Sequence, residues 1–328
     1  MPRPLLTLVT PALADAHNGN WQTARRYAAL LAPDFRVDLR PQWQAGDPPG
    51  ALLIALHARK SAPSIAAWPA QRPVLLVLTG TDLYRDIGAD AAAQASLQRA
   101  DALVLLNRLG AQALPLALRA KARVILQSCA ARAPGRRPQG HLRVLMVGHL
   151  RAEKDPETLF AAVQALQGRS EAQGEIRIDH IGQALDAGLA LQARQLMREC
   201  PHYRWLGPLP HGETRRRIAN ASLLLHPSRM EGGAHVVMEA LRSGTPVLAS
   251  RVDGNVGLLG ADWPLLFEPG DVRGLVAQLL ALRRDPAILA HAEGLARERG
   301  AAFAPEHERR ALLSLVRQLL EPTHVPQP

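Results

Sequence analysis

The first 140 residues contain no glutamate. They hold 17 Lys and Arg against 8 Asp, a net of +9, while residues 141–328 hold 22 against 21, so nearly all of the chain's formal +10 lies in its first part. A one-sided positive excess suits an anionic small substrate, an anionic membrane surface or nucleic acid. Other shortages count against nucleic acid: aromatics are 4% of the 328 residues, the positives are scattered rather than run together, and no nucleic-acid-binding module is recognisable. The two cysteines, Cys129 and Cys200, lie far apart with no metal-ligand spacing, which predicts reduced thiols in a cytoplasmic protein. No apolar run approaches the ~20 residues that span a bilayer, so no stable membrane association is expected. Arg3, a short apolar run and Ala14-Asp15-Ala16 imitate a signal peptide, but Leu5 to Val9 is short for that purpose and suits a buried first strand. No Ser/His/Asp or Cys/His arrangement has a local signature of nucleophilic catalysis, and no metal or other cofactor is expected.

Short apolar runs alternate with helical patterns along the whole chain, which predicts parallel sheets covered by helices, an α/β fold. Strands are expected at Leu5 to Val9, Phe35 to Leu39, Leu52 to Leu56, Val74 to Leu78, Leu103 to Leu106 and Val124 to Gln127, with helices such as Trp21 to Leu31 and Ala91 to Arg99 between them. Residues 130–140, AARAPGRRPQG, lack apolar periodicity and read as a linker. The rhythm then restarts at Arg143 to Val147 and continues through Arg177 to Ile181, Leu223 to Leu225, Val247 to Ala249 and Leu265-Leu266. Two doubly wound, Rossmann-like domains are therefore expected, residues 1–135 and 140–306, facing a central cleft at the carboxyl ends of their strands. A last helical stretch, residues 307–320, could pack on either.

The most informative segment is Ser228 to Ser250, SRMEGGAHVVMEALRSGTPVLAS. Glu231 and Glu239 stand eight residues apart, Gly232 and Gly233 follow the first, and Gly244-Thr245-Pro246 ends the helix before a strand. Glycines at a helix start let backbone N–H groups of Gly232 to Ala234 approach a phosphate. Carboxylates would repel that phosphate, so each makes sense as an acceptor for hydroxyls on either side of it. A diphosphate flanked by polyols is a nucleotide sugar. Alone, such a pair of Glu also suits an ordinary amphipathic surface helix.

Upstream, Gly148-His149-Leu150-Arg151-Ala152-Glu153-Lys154-Asp155 follows the strand that opens the second half. Glycine and basic residues between a strand and a helix can hold a phosphate, with Lys154 as a point charge and Arg151 as a fork, or can be a solvated first turn before Pro156. Asp253-Gly254-Asn255 follows another strand, and Asn255 is a candidate sugar or phosphate contact. Arg229 could add positive charge near a leaving diphosphate. In the first half, Asn18-Gly19-Asn20, His57 with Arg59 and Lys60, and Thr79-Gly80-Thr81-Asp82 all sit at expected carboxyl ends of strands and are the candidate acceptor residues.

With their context, these motifs resemble the retaining glycosyltransferases of family 4, which have the two-lobed GT-B fold. The resemblance implies that Glu231 lies near the transferred sugar, Glu239 on the ribose and Lys154 on the diphosphate, and that Gly182 and Leu206 line the nucleobase side. It also departs from the family at three places. His149 stands where a phosphate-binding Arg belongs, Asp155 where the loop has Gly, and Thr79-Gly80 where His-Gly is usual. Within the family, Leu-His-Ala-Arg-Lys-Ser, Leu-Thr-Gly-Thr-Asp-Leu-Tyr, Gly-His-Leu-Arg and Asp-Gly-Asn-Val-Gly-Leu-Leu-Gly look like the selenosugar synthases of selenoneine biosynthesis. That narrower resemblance implies transfer from a UDP-sugar, UDP-N-acetylglucosamine in the first place, to the selenium of selenophosphate without a metal. The alternative is a hexosyltransferase acting on a lipid or polysaccharide hydroxyl at a membrane surface.

Overall fold

The structure is a computed structural model that describes residues 2–11, 19–169 and 175–321. The chain divides into two compact units, residues 1–127 with 305–328, and residues 128–304. The division falls before the stretch read as a linker, and that stretch is counted with the second unit. There Gly135 N donates to Ala219 O at 2.8 Å, and Arg137 pairs with Glu293 and donates to Gly244 O.

The first unit is built on a parallel sheet of six strands, β1 (Leu5–Val9), β2 (Arg36–Arg40), β3 (Leu52–Leu56), β4 (Val74–Leu78), β5 (Ala102–Leu105) and β6 (Ala122–Val124), in the order β2-β1-β3-β4-β5-β6. Its crossover helices include α1 (Gly19–Leu31), α2 (Ala62–Ala67) and α3 (Ala91–Arg99). β3 is buried along its whole length because successive side chains point to opposite covered faces. Leu52, Ile54 and Leu56 join Leu6, Leu8, Tyr27 and Leu31 on one face; Leu53 and Ala55 join Leu76, Leu78, Ile65 and Leu97 on the other.

The second unit repeats the plan with β7 (Leu142–Val147), β8 (Ile176–Ile181), β9 (Tyr203–Trp205), β10 (Leu223–His226), β11 (Val247–Ser250) and β12 (Leu266–Phe267), ordered β12-β11-β10-β7-β8-β9 and again parallel. Its helices are α4 (Pro156–Gln167), α5 (Ala187–Glu199), α6 (His211–Asn220), α7 (His235–Leu241), α8 (Asp253–Leu259), α9 (Val272–Arg284) and α10 (Pro286–Gly300). The last helix, α11 (Pro305–Leu320), belongs to the first unit. Leu312, Leu315 and Val316 enter the core beside α1, and Arg26 donates to both oxygens of buried Glu308 at 2.9 and 3.0 Å.

Each strand order has one reversal point, where consecutive crossovers run in opposite directions and the loops at the carboxyl ends of two adjacent strands splay apart. In the first sheet it lies between β1 and β3; in the second, between β7 and β10. The second is where Lys154 and Glu231 meet.

Candidate functional site

The loop after β7 and the loop after β10 are tied together three times. Arg229 N donates to Glu153 O at 3.0 Å, the Arg229 guanidinium donates to Asp155 Oδ1 at 2.9 Å, and Lys154 Nζ donates to Glu231 Oε1. Asp155 has φ of 48°, the left-handed conformation that Asp tolerates better than most residues. That explains the departure from glycine: Asp155 takes glycine's backbone shape, and its buried carboxylate accepts from Thr158 Oγ1 at 2.7 Å as well as from Arg229. The Arg229 side chain also reaches Glu157, 3.5 Å away, and stays half-exposed.

Glu231 is 9% exposed. Burial alone would raise its pKa, but Lys154 and His226 outweigh burial and hold the carboxyl well below the usual carboxylate range. His226, the last residue of β10 and 2% exposed, places Nε2 3.0 Å from Glu231 Oε1. An ionised carboxylate only accepts, so this contact puts the imidazole proton on Nε2. Burial lowers the His226 pKa against the pull of Glu231. Below Glu231, a Cβ on Gly254 would collide with Glu231 O, so only glycine lets α8 approach this close.

His149, where an arginine was expected, accepts from Gln183 N at Nδ1, 3.1 Å away. Burial, with Arg151 and Lys154 beside it, depresses its pKa. A neutral His149 with its proton on Nε2 can donate one hydrogen bond to a ligand but adds no charge. Arg151 remains half-exposed, 3.9 Å from Glu153. The position of Gly148 is fixed from beneath: buried His180 donates from Nε2 to Gly148 O at 3.0 Å while Nδ1 faces Tyr203 Oη at 3.1 Å. Gly182 packs against the same loop, since a Cβ there would overlap Gly148 O. Gly182 N donates to Gly207 O and Leu206 N to His180 O, so Leu206 is held at the end of β8, while Gly182 lies against the loop after β7.

Glu239 lies in α7 and is 2% exposed. His211 Nε2 stands 2.6 Å from its Oε1, His235 Nδ1 3.4 Å and Arg215 Nε 3.7 Å. Burial opposes ionisation, yet His211 and His235 bring its pKa down to about 2. The glycines do not open the helix as expected: α7 starts at His235 after the cap Ala234, so Gly232 and Gly233 belong to the loop. Asn255 is fully buried and its amide nitrogen donates to Ser250 O and Ser250 Oγ, both at 3.0 Å, which braces the loop.

In the first unit, His57 follows β3 with φ of 73°, a strained conformation for a side chain of this size. Its Nδ1 accepts from Lys60 N at 3.4 Å and Nε2 faces Thr81 Oγ1 at 3.3 Å. Burial lowers its pKa against the opposing pull of Asp82. Asp82 is fully buried and acts as a staple, accepting from Ala58 N, Thr79 N and Gly80 N at 2.8–3.0 Å. Arg59 reaches Asp86 at 3.1 Å, and Lys60 is exposed. Gly19 and Asn20 form the first turn of α1 rather than a loop, while Asn18 lies outside the described residues. Among the described residues, no group of three or more His, Cys, Asp or Glu is placed to hold a metal ion, and no helix is long and apolar enough to cross a membrane.

The sequence reading missed His226, His211, His235 and Arg215. His226 was recoverable: it extends the expected strand Leu223 to Leu225 by one residue, at the carboxyl end where ligands collect. His211 was not, because nothing local links it to a glutamate 28 positions away.

Residues 130–299 match the family described as glycosyl transferases group 1. The chain belongs to that family. The family's two-lobed GT-B fold accounts for both parallel six-stranded sheets. Glycogen synthase of Mycobacterium tuberculosis (strain ATCC 25618 / H37Rv) is 32% identical over 166 residues, 50% of this chain and 39% of that protein. The sulfoquinovosyl transferase SQD2 of Arabidopsis thaliana is 31% identical over 146 residues, 43% of this chain and 26% of that protein. The chain thus spans well under half the length of these relatives. Among solved structures, sucrose-phosphate synthase from Thermosynechococcus elongatus superposes with a TM-score of 0.75 at 20% identity, covering 97% of this chain and 99% of that one. HepE of Anabaena in complex with UDP gives 0.74 at 15% identity, covering 96% and 100%. These two likenesses are of fold.

Proposed function

We propose that this protein transfers a sugar from a UDP-sugar to the selenium of selenophosphate. The donor half of the proposal is carried by one observation: ionised Glu231 and Lys154 are paired at the reversal point of the second sheet, with buried Glu239 eight residues further on. There Lys154 turns to the leaving diphosphate, Glu239 accepts from ribose hydroxyls, and Glu231 faces the positive charge that develops on the sugar ring as the anomeric C–O bond breaks. Arg151 is a further half-exposed cation beside the loop, and His149 donates one hydrogen bond.

The acceptor half is supported by the absence of glutamate and the net +9 of the first 140 residues, and by Arg59 and Lys60 beside strained His57. A selenium lone pair forms the C–Se bond while UDP leaves with the electrons of the C–O bond; water then cleaves the P–Se bond to give phosphate and the selenosugar. A selenolate-like nucleophile needs little general-base help, which agrees with Thr79 in place of the family's usual histidine. UDP-N-acetylglucosamine is the first donor to try. The test is product mass after incubation with that donor and selenophosphate, beside a plain alcohol acceptor and anionic lipid vesicles. A mass equal to the selenosugar supports the proposal; efficient transfer to the alcohol or lipid alone defeats it. That second outcome would favour a hydroxyl-directed hexosyltransferase, which the likeness to a glycogen synthase supports.

A further inference from the structure

Glu231 has two cationic or donor partners that differ in mobility. Lys154 is a long side chain, 17% exposed, whose stem lies over Gly148. His226 is a short side chain, 2% exposed, at the end of a central strand. A chain of polar contacts meets the same nitrogen of His226 that faces Glu231. Ser228 Oγ lies 3.3 Å from His226 Nε2, Ser250 Oγ donates to Ser228 O at 2.5 Å, and Asn255 Nδ2 donates to Ser250 Oγ at 3.0 Å. Every one of these residues is buried. The Glu231 backbone is gripped as well, by the close approach of Gly254.

This asymmetry matters once a diphosphate arrives. An ammonium has three donors and can share them, but a strongly charged phosphate draws Lys154 away from Glu231. A buried carboxylate that loses its only partner tends to take up a proton. Protonated, it could no longer face a positive charge on the sugar.

We propose that His226 is a positioning residue that keeps Glu231 ionised and fixed in place while Lys154 is handed over to the donor diphosphate. The exchange divides the labour: Lys154 moves with the ligand, and His226, braced through Ser228, Ser250 and Asn255, does not. The proposal rests on the donor half of the function given above.

The test compares wild type with H226F, which keeps the volume and loses the donor, and H226Q, whose Nε2 can replace the imidazole N–H. Turnover is followed as UDP release, and Glu231 ionisation by 13C NMR of carboxyl-labelled glutamate, assigned with E231Q, with and without UDP. We expect H226F to lower kcat about 30-fold with donor KM within about threefold. Its acidic limb should move to higher pH, and the Glu231 resonance should titrate at least one pH unit higher once UDP is bound. H226Q should recover most of both. If H226F folds and keeps the wild-type kcat and acidic limb, or if H226Q folds yet moves neither kcat nor the Glu231 titration back towards wild type, the proposal is overturned. Should H226F not fold, H226Q and the wild-type titration decide: a Glu231 resonance that UDP shifts to higher pH in wild type, with His226 intact, also overturns it. A wild type that neither binds UDP nor releases it refutes the proposed function first, and this inference with it.

Discussion

Replacing Lys154 by Met tests the electrostatics of the site without any substrate. Met fills nearly the same space and removes the charge. Glu231 then keeps His226 but loses its ammonium while staying 9% exposed. Removing one partner of a buried ion pair costs about 3–5 kcal/mol. Lys154 is 17% exposed and His226 remains 3.0 Å away, so the cost falls to the bottom of that range or just below it, about 2–3 kcal/mol. For a unit of this size that is a fall in unfolding midpoint of about 5–10 °C at pH 7. E231Q should then rescue K154M, because the double variant has no buried charge left to strand. Differential scanning calorimetry of wild type, K154M, E231Q and K154M/E231Q gives the coupling directly. Strictly additive shifts, with E231Q lowering the midpoint of K154M as much as it lowers that of wild type, would refute the pairing.

The pH dependence has a definite sign. In wild type the folded Glu231 carboxyl lies below its unfolded value, so its contribution is complete above the ordinary carboxylate pKa of about 4.3 and is lost as pH falls through the folded value. The K154M deficit should therefore hold from neutrality down to about pH 4.3 and shrink only below it, as seen in midpoints measured from neutral to strongly acidic pH. E239Q should weaken UDP binding about tenfold or more by calorimetric titration, and equal affinity would contradict the ribose role. G182A must push the loop after β7 away from residue 182, where an added Cβ would overlap Gly148 O; UDP affinity should fall with a lowered midpoint, and unaltered affinity would show that the loop is not used. H57N keeps a side chain that tolerates the left-handed backbone. It should fold normally and raise KM for selenophosphate about tenfold, whereas an unchanged KM would remove His57 from the acceptor residues.

Much of the architecture was readable from local pattern. Strands such as Leu52–Leu56 and Val74–Leu78 are continuous apolar runs because both sheet faces are covered. Where such runs alternate with amphipathic helices, a parallel sheet buried between helical layers is the arrangement that hides all of them from water. β9 went unread because three residues, Tyr203–Trp205, carry too little periodicity and include Arg204, whose charge is met by Asp179 on the neighbouring strand at 2.8 Å. β6 was expected at Val124 to Gln127 but pairs as Ala122–Val124, its register set by β5 and not by its own composition.

The paired glutamates, the glycine and basic residues after β7 and the one-sided charge were determined by sequence alone, since each depends on residue identity and short spacing. Their state was not. Lys154 and Glu231 are 77 positions apart, and only the order of the second sheet, with β10 returning beside β7, brings them into contact. The same packing turned two expected ligand residues inward, Asn255 to Ser250 and Asp82 to the loops after β3 and β4, and tied half-exposed Arg229 to Asp155. A polar side chain near a site takes whichever partner lies closest after burial, and burial is decided by chain segments far away in sequence. His226 shows the converse, a residue without any motif whose place beneath Glu231 follows from strand length and sheet order.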